Sequence, residues 1–160
     1  MRATRLPDLG SQGQGWFLIQ VVLFVAIAMA GPLGPAWSGA PRVGGEATGA
    51  VLIVLGGLFA LRGLIDLRSS LTPFPKPLPD AHLVVTGSYR LARHPIYGGL
   101  IMGAVGWGLA TASPVALGLA ATLTVFFDLK SRREEIWLTE QFADYAAYRS
   151  RTHRLLPWVY

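Results

Sequence analysis

The chain has 160 residues, of which 52% are hydrophobic and only 14% charged, and this balance excludes an ordinary water-soluble domain. Its formal net charge is +5, but the basic residues flank apolar runs, which argues against nucleic acid as a partner and favours anionic membrane lipids. The absence of cysteine excludes disulfides and cysteine-containing metal sites. We therefore expect an integral membrane protein with one domain over residues 1–160.

The first apolar run follows an N-terminal tail, residues 1–15, that contains Arg2 and Arg5. Residues 16–30 carry no charge, and the run continues weakly to Trp37. This length suits one membrane-spanning helix with an interfacial Trp at each end. An apolar run after two Arg also resembles a cleavable signal peptide, but the further apolar segments favour a spanning helix.

A second span is predicted over residues 47–67, after a loop at 36–46 that is rich in Pro and Gly. Gly45 and Gly49 are four residues apart, a spacing that allows close helix contact in membranes. Prolines alternate in the segment that follows, residues 68–80, so it cannot form a regular helix. We expect an extended strap on the membrane surface.

Arg62 and Asp66 lie four residues apart near the end of the second span. Two interpretations are open for them. They can form an ion pair near the headgroup level, or Arg62 can reach into a polar cavity between helices.

Two short apolar runs, residues 96–112 and 115–129, are separated only by Ser113-Pro114 and predict a helical hairpin. Each run is barely long enough to cross, so the pair requires tilt or a locally thin bilayer. Residues 130–151 are amphipathic and predict a C-terminal helix along the membrane. The fold class is therefore an all-α integral membrane protein with about four transmembrane helices, the last two a hairpin, plus a C-terminal amphipathic helix.

Four spans place both termini on the same side of the membrane. All Lys and Arg residues except Arg42 and Arg62 then fall on that side. By the positive-inside rule it is the cytoplasmic side, so we predict a multi-pass protein with both termini and the active site in the cytoplasm.

Residues 87–99 form a polar segment in which two Arg, one His and two Tyr lie together. Arg90, Arg93 and His94 offer cationic or protonatable donors, and Pro95 favours the first turn of a following helix. Such a turn suits an anionic or zwitterionic small molecule at a membrane surface. The alternative is that these basic residues merely flank a helix end and extend toward lipid headgroups.

A second polar cluster, residues 130–135, lies where the last apolar run ends. Because the two runs form a hairpin, this cluster should face the Arg-His-Pro turn. The turn would attract a carboxylate, the acids would attract a cation, and Tyr89, Tyr97 and Trp137 could supply an aromatic face for a sulfonium or an adenine. Alternatively, Glu134 and Glu135 pair with neighbouring basic residues on an exposed helix.

Several other site types are excluded. The sequence contains no dinucleotide-binding or Walker-type loop and no Gly-x-Ser-x-Gly elbow. His82, His94 and His153 lack the spacing of metal ligands, so we predict no metal site.

Several motifs in the second half of the chain occur together in order and spacing: Leu-Val-Val-Thr-Gly-Ser-Tyr-Arg at 83–90, Arg-His-Pro-x-Tyr-x-Gly at 93–99, Arg-Glu-Glu at 133–135, Phe-x-x-Tyr-x-x-Tyr at 142–148, and Arg-x-x-Pro at 154–157. Together they resemble the isoprenylcysteine carboxyl methyltransferase family and related phospholipid methyltransferases. The resemblance covers residues 80–157, the predicted cofactor-binding core. It implies a membrane-embedded enzyme that uses S-adenosyl-L-methionine without a Rossmann domain.

The resemblance also implies site residues by position. The cofactor-binding set is His82, Leu83, Val84, Tyr89, Arg93, His94, Pro95, Ile96, Tyr97, Glu134 and Glu135. Lys130 or Arg133 would bind the substrate, and we assign catalysis to Arg133 and Glu134. Ser88 and Ala143 depart from the Pro and Gly that many members have at these positions.

Methyl transfer from a sulfonium is an in-line displacement, in which the enzyme mainly positions the acceptor and excludes water. The resemblance implies a lipophilic acceptor with a carboxylate of the isoprenylcysteine type, and such a carboxylate needs no general base. An amine headgroup such as that of phosphatidylethanolamine would need His94 or a Glu as base and is the alternative. A non-catalytic membrane scaffold is a further alternative. Only two spans precede the polar turn. The chain itself therefore provides little cover for the acceptor, or a second subunit of a homo-oligomer covers it.

Overall fold

A computed structural model describes residues 6–33, 36–157 and 159, and this part of the chain is helical without β-strands. Arg2 and Arg5 of the predicted tail lie outside the described residues, as do residues 34 and 35. The helices are α1 (Gln14–Leu33), α2 (Ala40–Leu67), α3 (Pro95–Ala110), α4 (Pro114–Gln141) and α5 (Tyr145–Arg149), with short 3-10 turns at Arg68–Ser70 and Gly87–Arg90.

Three helices, α1, α2 and α4, are long and apolar enough to cross a membrane. Many of their Leu, Val and Ile side chains are exposed, as expected of helices that face lipid. The fourth apolar helix, α3, has 16 residues and falls short of that length. The chain is therefore a membrane protein with three candidate spans among the described residues, and the fourth span and the cytoplasmic orientation stay predictions.

Two helix boundaries differ from the predicted ones. The helix α2 begins at Ala40, so most of the loop predicted at 36–46 is helical. Glycine costs only about 1 kcal/mol in a helix interior, and packing against α3 outweighs that cost. The helix α4 continues without a break to Gln141, because residues 130–141 contain no Pro or Gly. The predicted C-terminal amphipathic helix is therefore mainly an extension of α4, followed by the short α5.

The closest helix packing in the fold joins α2 to α3 through glycines seven residues apart. On α2 these are Gly49, Gly56 and Gly63, and on α3 they are Gly99 and Gly106. A Cβ atom added at Gly49 or Gly56 would lie 2.5 Å from backbone atoms of α3. The two backbones can approach this closely only because these positions lack side chains.

Two four-residue Gly spacings, Gly45–Gly49 on α2 and Gly99–Gly103 on α3, differ in how far they take part in this interface. Gly45 and Gly49 both face α3, as predicted. Gly103, four residues after Gly99, faces open space and takes no part in the contact.

The end of α2 is tied to the polar turn by Asp66. Its carboxylate accepts hydrogen bonds from the Ser88 backbone N–H at 2.7 Å and from the Ser88 hydroxyl at 2.8 Å. Gly87 has a positive φ of 61° and packs against the same carboxylate, where a side chain would not fit. Arg62 pairs with Asp66 at 3.1 Å, which confirms the ion-pair interpretation of these two residues.

The helices α3 and α4 form the predicted hairpin, and α1 packs alongside α4. Ser113 caps α4 by accepting a hydrogen bond from the Ala116 N–H, and its hydroxyl donates to the Ala30 carbonyl of α1. Near the other end, the rings of Trp16 and Phe126 have centroids 5.7 Å apart. The contact between α1 and α4 therefore extends over most of both apolar segments.

The adjacent pair Gly56 and Gly57 provides a test of the α2–α3 interface. We expect Gly56→Ala to lower the free energy of unfolding by about 1–3 kcal/mol, because its methyl group would overpack the interface. Gly57 faces open space, so Gly57→Ala should leave stability unchanged or raise it slightly. Denaturant unfolding in detergent micelles measures both values, and equal effects of the two substitutions would contradict this packing.

Candidate functional site

The Arg-His-Pro turn lies beside the C-terminal segment of the chain. The Arg93 N–H donates to the His153 carbonyl and the His94 N–H to the Arg154 carbonyl, both at 2.9 Å. Ala92 and His153 form an isolated parallel bridge. Backbone hydrogen bonds to residues that follow α5 thus fix the segment that precedes α3.

The side chain of Arg93 connects the turn to α4. Its Nε donates to Glu135 Oε1 at 2.8 Å, and both side chains are buried. Its Nη1 donates to the carbonyls of Arg149 and Thr152. Glu135 also lies 3.5 Å from the guanidinium of Arg154. The two polar clusters predicted from the hairpin therefore meet, and this ion pair is one of the contacts between them.

A stack of three rings stands next to that ion pair. The rings of His94 and Tyr97 are nearly parallel with centroids 5.4 Å apart, and Tyr97 stacks on Phe127 at 4.6 Å. The Tyr97 hydroxyl donates to Glu134 Oε2 at 2.7 Å, and His94 Nδ1 lies 3.7 Å from the same oxygen. Stacking and hydrogen bonding together fix the orientation of the His94 ring and the Glu134 carboxylate.

Lys130 lies on α4 one helical turn before Glu134, and it is only 1% exposed. Its ammonium donates to Gln20 Oε1 of α1 at 2.6 Å and lies 5.1 Å from the centroid of the Tyr97 ring. Within the described residues, no carboxylate lies within 4 Å of this ammonium. Lys130 therefore has a hydrogen-bond acceptor and an aromatic face, while the charge of Glu134, one helical turn further along α4, acts on it only from beyond ion-pair distance.

These polar side chains border a cavity of about 370 Å³. His94, Lys130 and Glu134 contribute to its polar wall. The other walls are mainly apolar and come from the end of α2, the first half of α1 and the strap at residues 71–77. A cavity with a charged end and an apolar body suits a ligand with an ionic head and a lipophilic part.

The strap, predicted over residues 68–80, begins with the 3-10 turn Arg68–Ser70, and its proline-rich remainder forms no regular helix, as predicted, and covers one side of the cavity. Phe74 packs edge-on against Phe17 of α1 with centroids 6.0 Å apart, and Pro75 is fully buried. The Gln141 amide donates to the Leu78 carbonyl at 2.8 Å. The strap is therefore anchored to α1 and to the end of α4.

Most of the predicted site residues line this cavity. They are His82, Leu83, Val84, Tyr89, Arg93, His94, Ile96, Tyr97, Lys130 and Glu134. Pro95, Glu135 and Arg133 lie outside the cavity wall. Pro95 is buried at the start of α3, and Glu135 is engaged with Arg93.

Arg133 lies on another side of α4 from Lys130. Its guanidinium pairs with Asp8 of the N-terminal segment and lies 4.0 Å from the centroid of the Trp137 ring. Trp137, predicted as an aromatic face for the ligand, is covered by this contact and does not line the cavity. Of the two predicted substrate-binding cations, Lys130 is the one beside the cavity, and a catalytic role for Arg133 stays a prediction.

Gln20 and Tyr145 are among the polar residues of the cavity wall that were not predicted as site residues. The Tyr145 hydroxyl is buried without a hydrogen-bond partner in the described part of the chain. Burial raises the pKa of Tyr145, so its hydroxyl stays a neutral donor. Tyr145 was visible in the motif at 142–148, and Gln20 is the only polar residue between Trp16 and Leu33.

Comparisons with known proteins identify relatives of this chain. Residues 46–145 match the model of the phospholipid methyltransferase family. A probable protein-S-isoprenylcysteine O-methyltransferase of Oryza sativa subsp. indica is 30% identical over 69% of this chain and 60% of its own length. Protein-S-isoprenylcysteine O-methyltransferase B of Arabidopsis thaliana is 30% identical over 69% of this chain and 58% of its own length.

A shorter similarity links the chain to the cobalt-zinc-cadmium resistance protein CzcN of Cupriavidus metallidurans, at 34% identity over 47% of this chain and 35% of that protein. The chain spans about 60% of the length of the plant relatives. The helix α1 precedes the residues that match the family model.

The neighbouring acids Glu134 and Glu135 should differ in their effect on stability. Glu135→Gln leaves the buried Arg93 guanidinium without its counter-charge and should cost about 3 kcal/mol of unfolding free energy. Glu134→Gln retains an oxygen that can accept from Tyr97 and should cost much less. Denaturant unfolding in detergent micelles checks the difference. A loss for Glu134→Gln as large as that for Glu135→Gln would contradict the structural role of the Arg93 pair.

Proposed function

The chain belongs to the phospholipid methyltransferase family, and from this premise we propose that it is a membrane-embedded, S-adenosyl-L-methionine-dependent methyltransferase acting on a lipophilic carboxylate. The names of the plant relatives describe O-methylation of an isoprenylated cysteine, which combines a lipid chain with a carboxylate. An acceptor of this type matches the charged end and apolar body of the cavity. Transfer to that carboxylate would yield a methyl ester.

The observation that carries this proposal is the buried ammonium of Lys130 beside the cavity. A buried charge is costly unless it is paired, and no described carboxylate lies within 4 Å of this one. A carboxylate acceptor would supply the counter-charge on binding. An ammonium group would be repelled at the same position, so Lys130 favours an anionic group of the acceptor there, and the carboxylate of the acceptor named by the plant relatives is such a group.

The cavity wall also fits the methyl donor. Its volume of about 370 Å³ lies in the range typical of small-molecule sites. The Glu134 carboxylate, 22% exposed, suits a cationic group, and the unpartnered Tyr145 hydroxyl is a free donor within the described residues. Leu83 and Val84 provide apolar wall. We propose that these residues hold S-adenosyl-L-methionine, which supplies an electrophilic methyl group when bound.

The remaining chemistry follows from the chain's own residues. A carboxylate is already a nucleophile, so the enzyme needs no general base. Lys130 would orient the acceptor carboxylate, and holding reactants in line can supply much of the rate enhancement. The strap and the apolar walls would exclude the water that otherwise hydrates the carboxylate.

Methylation of a phospholipid amine headgroup is the second candidate, and the description of the matched family favours it. An ammonium acceptor must lose a proton before it can attack. His94 and Glu134, 3.7 Å apart in the cavity wall, are the groups that could accept it. In this candidate Lys130 would pair with the phosphate of the headgroup and not with the group that receives the methyl.

Calorimetry on the detergent-solubilised chain tests the cofactor site. We expect wild-type protein to bind S-adenosyl-L-methionine, and His94→Ala and Glu134→Gln each to weaken binding by about tenfold or more, because the first removes a polar contact and the second removes the negative charge that attracts the cationic group. Glu140→Gln is the matched control, since Glu140 is an exposed acid on the same helix. If His94→Ala and Glu134→Gln both bind as tightly as the control, the cofactor site is not here.

Transfer of a labelled methyl group to two acceptors tests the acceptor class. We expect methylation of an isoprenylated cysteine and not of phosphatidylethanolamine. Lys130→Met should raise KM for the acid about tenfold or more, because it removes the charge that holds the carboxylate. Arg132→Met, which changes an exposed cation of the same helix outside the cavity, should act like wild type. Methylation of phosphatidylethanolamine alone would refute the carboxylate proposal in favour of the second candidate.

A further inference from the structure

Gln20 is the only polar residue of α1 between Trp16 and Leu33. An amide within an apolar, membrane-spanning helix is costly unless it finds a hydrogen-bond partner. In the structure its Oε1 accepts from Lys130 Nζ at 2.6 Å, and its side chain lines the cavity. The partner lies 110 positions later in the sequence, on α4.

This hydrogen bond gives the Lys130 ammonium a direction. Lysine carries three N–H donors at the end of a flexible stem, and an aromatic face attracts its charge without selecting one orientation. The Tyr97 and Phe127 ring centroids lie 5.1 and 6.0 Å from Nζ. Gln20 provides the directional contact among the described neighbours, and it leaves two N–H groups for a ligand.

We infer that Gln20 is a positioning residue, which orients the Lys130 ammonium toward the acceptor and so makes α1 part of the specificity of the site. This inference rests on the proposed function, in which Lys130 holds the acceptor carboxylate. Because α1 precedes the residues matched by the family model, the contact comes from a part of the chain that the match does not cover.

The amide suits this task better than an acid. Its neutral oxygen holds the ammonium through a hydrogen bond and leaves the positive charge available to the acceptor. A glutamate at position 20 would form an ion pair with Lys130 and compete with the acceptor carboxylate. The charge at position 20 should therefore control the preference of the site for acids.

The test compares two ligands that share a lipid chain, an isoprenylated cysteine and its methyl ester, by calorimetry on the detergent-solubilised full chain. We expect wild type to bind the acid about tenfold more tightly than the ester, since only the acid makes charged hydrogen bonds. Gln20→Leu should weaken acid binding about fivefold, with ester binding and cofactor affinity within about twofold of wild type. Gln20→Glu should abolish the preference for the acid.

Two further variants show whether Gln20 acts through Lys130. In a Lys130→Met background, Gln20→Leu should cause no additional loss of acid binding. Gln14→Leu, which changes an exposed glutamine of the same helix, should bind both ligands like wild type. If Gln20→Leu does not yield folded protein, Gln20→Met, a closer match in length, replaces it.

The outcomes separate the inference from its premise. An unchanged acid preference in Gln20→Leu, or an equal loss for acid and ester, overturns the positioning role of Gln20. If the role of Gln20 is overturned but Lys130→Met removes the preference for the acid, the proposed carboxylate site remains supported. If wild type binds acid and ester equally, or Lys130→Met retains the preference, the carboxylate site is wrong and the role of Gln20 falls with it.

Discussion

The buried ion pair between Arg93 and Glu135 determines the relative positions of the segments around this cavity. Three segments converge on it, because the Arg93 guanidinium also donates to the carbonyls of Arg149 and Thr152. A buried charge that loses its partner is strongly destabilising, so the turn cannot move away from α4 without a large cost. Since α3 begins directly after the turn, the pair also fixes the start of that helix, and with it the ring of His94 beside Glu134.

The pair also explains why two adjacent acids have different surroundings. Consecutive residues of an α-helix point about 100° apart, so Glu134 and Glu135 cannot face the same side of α4. Glu135 faces Arg93, which leaves Glu134 toward the cavity and Tyr97. Lys130 precedes Glu134 by four residues and so shares its face, whereas Arg133 does not. On the proposed function, one face of α4 binds ligands and the adjacent face holds the fold together.

Much of this arrangement could be predicted from the sequence because it depends on local patterns. A connection as short as Ser113-Pro114 requires a hairpin, and a hairpin brings the turn near residues 130–135. The four-residue spacing also places Lys130 on the face of Glu134, which the adjacent Arg133 does not share. The start of α2 could not be predicted from composition, because its Gly-rich first turns gain their stability from packing on α3. The place of Gln20 depends on how α1 packs against α4, and no local pattern encodes that packing.

Two contacts hold the frame of the fold without involving Lys130. The glycine interface brings the backbones of α2 and α3 together, and the Arg93–Glu135 pair fixes the turn on α4. Neither contact uses the ammonium of Lys130, whose buried charge has an amide and two rings around it. Such a charge opposes stability, and a rigid frame can tolerate it. On the proposed function this cost is offset when the acceptor carboxylate arrives, so part of the acceptor's affinity comes from pairing a charge that the folded chain already holds in place.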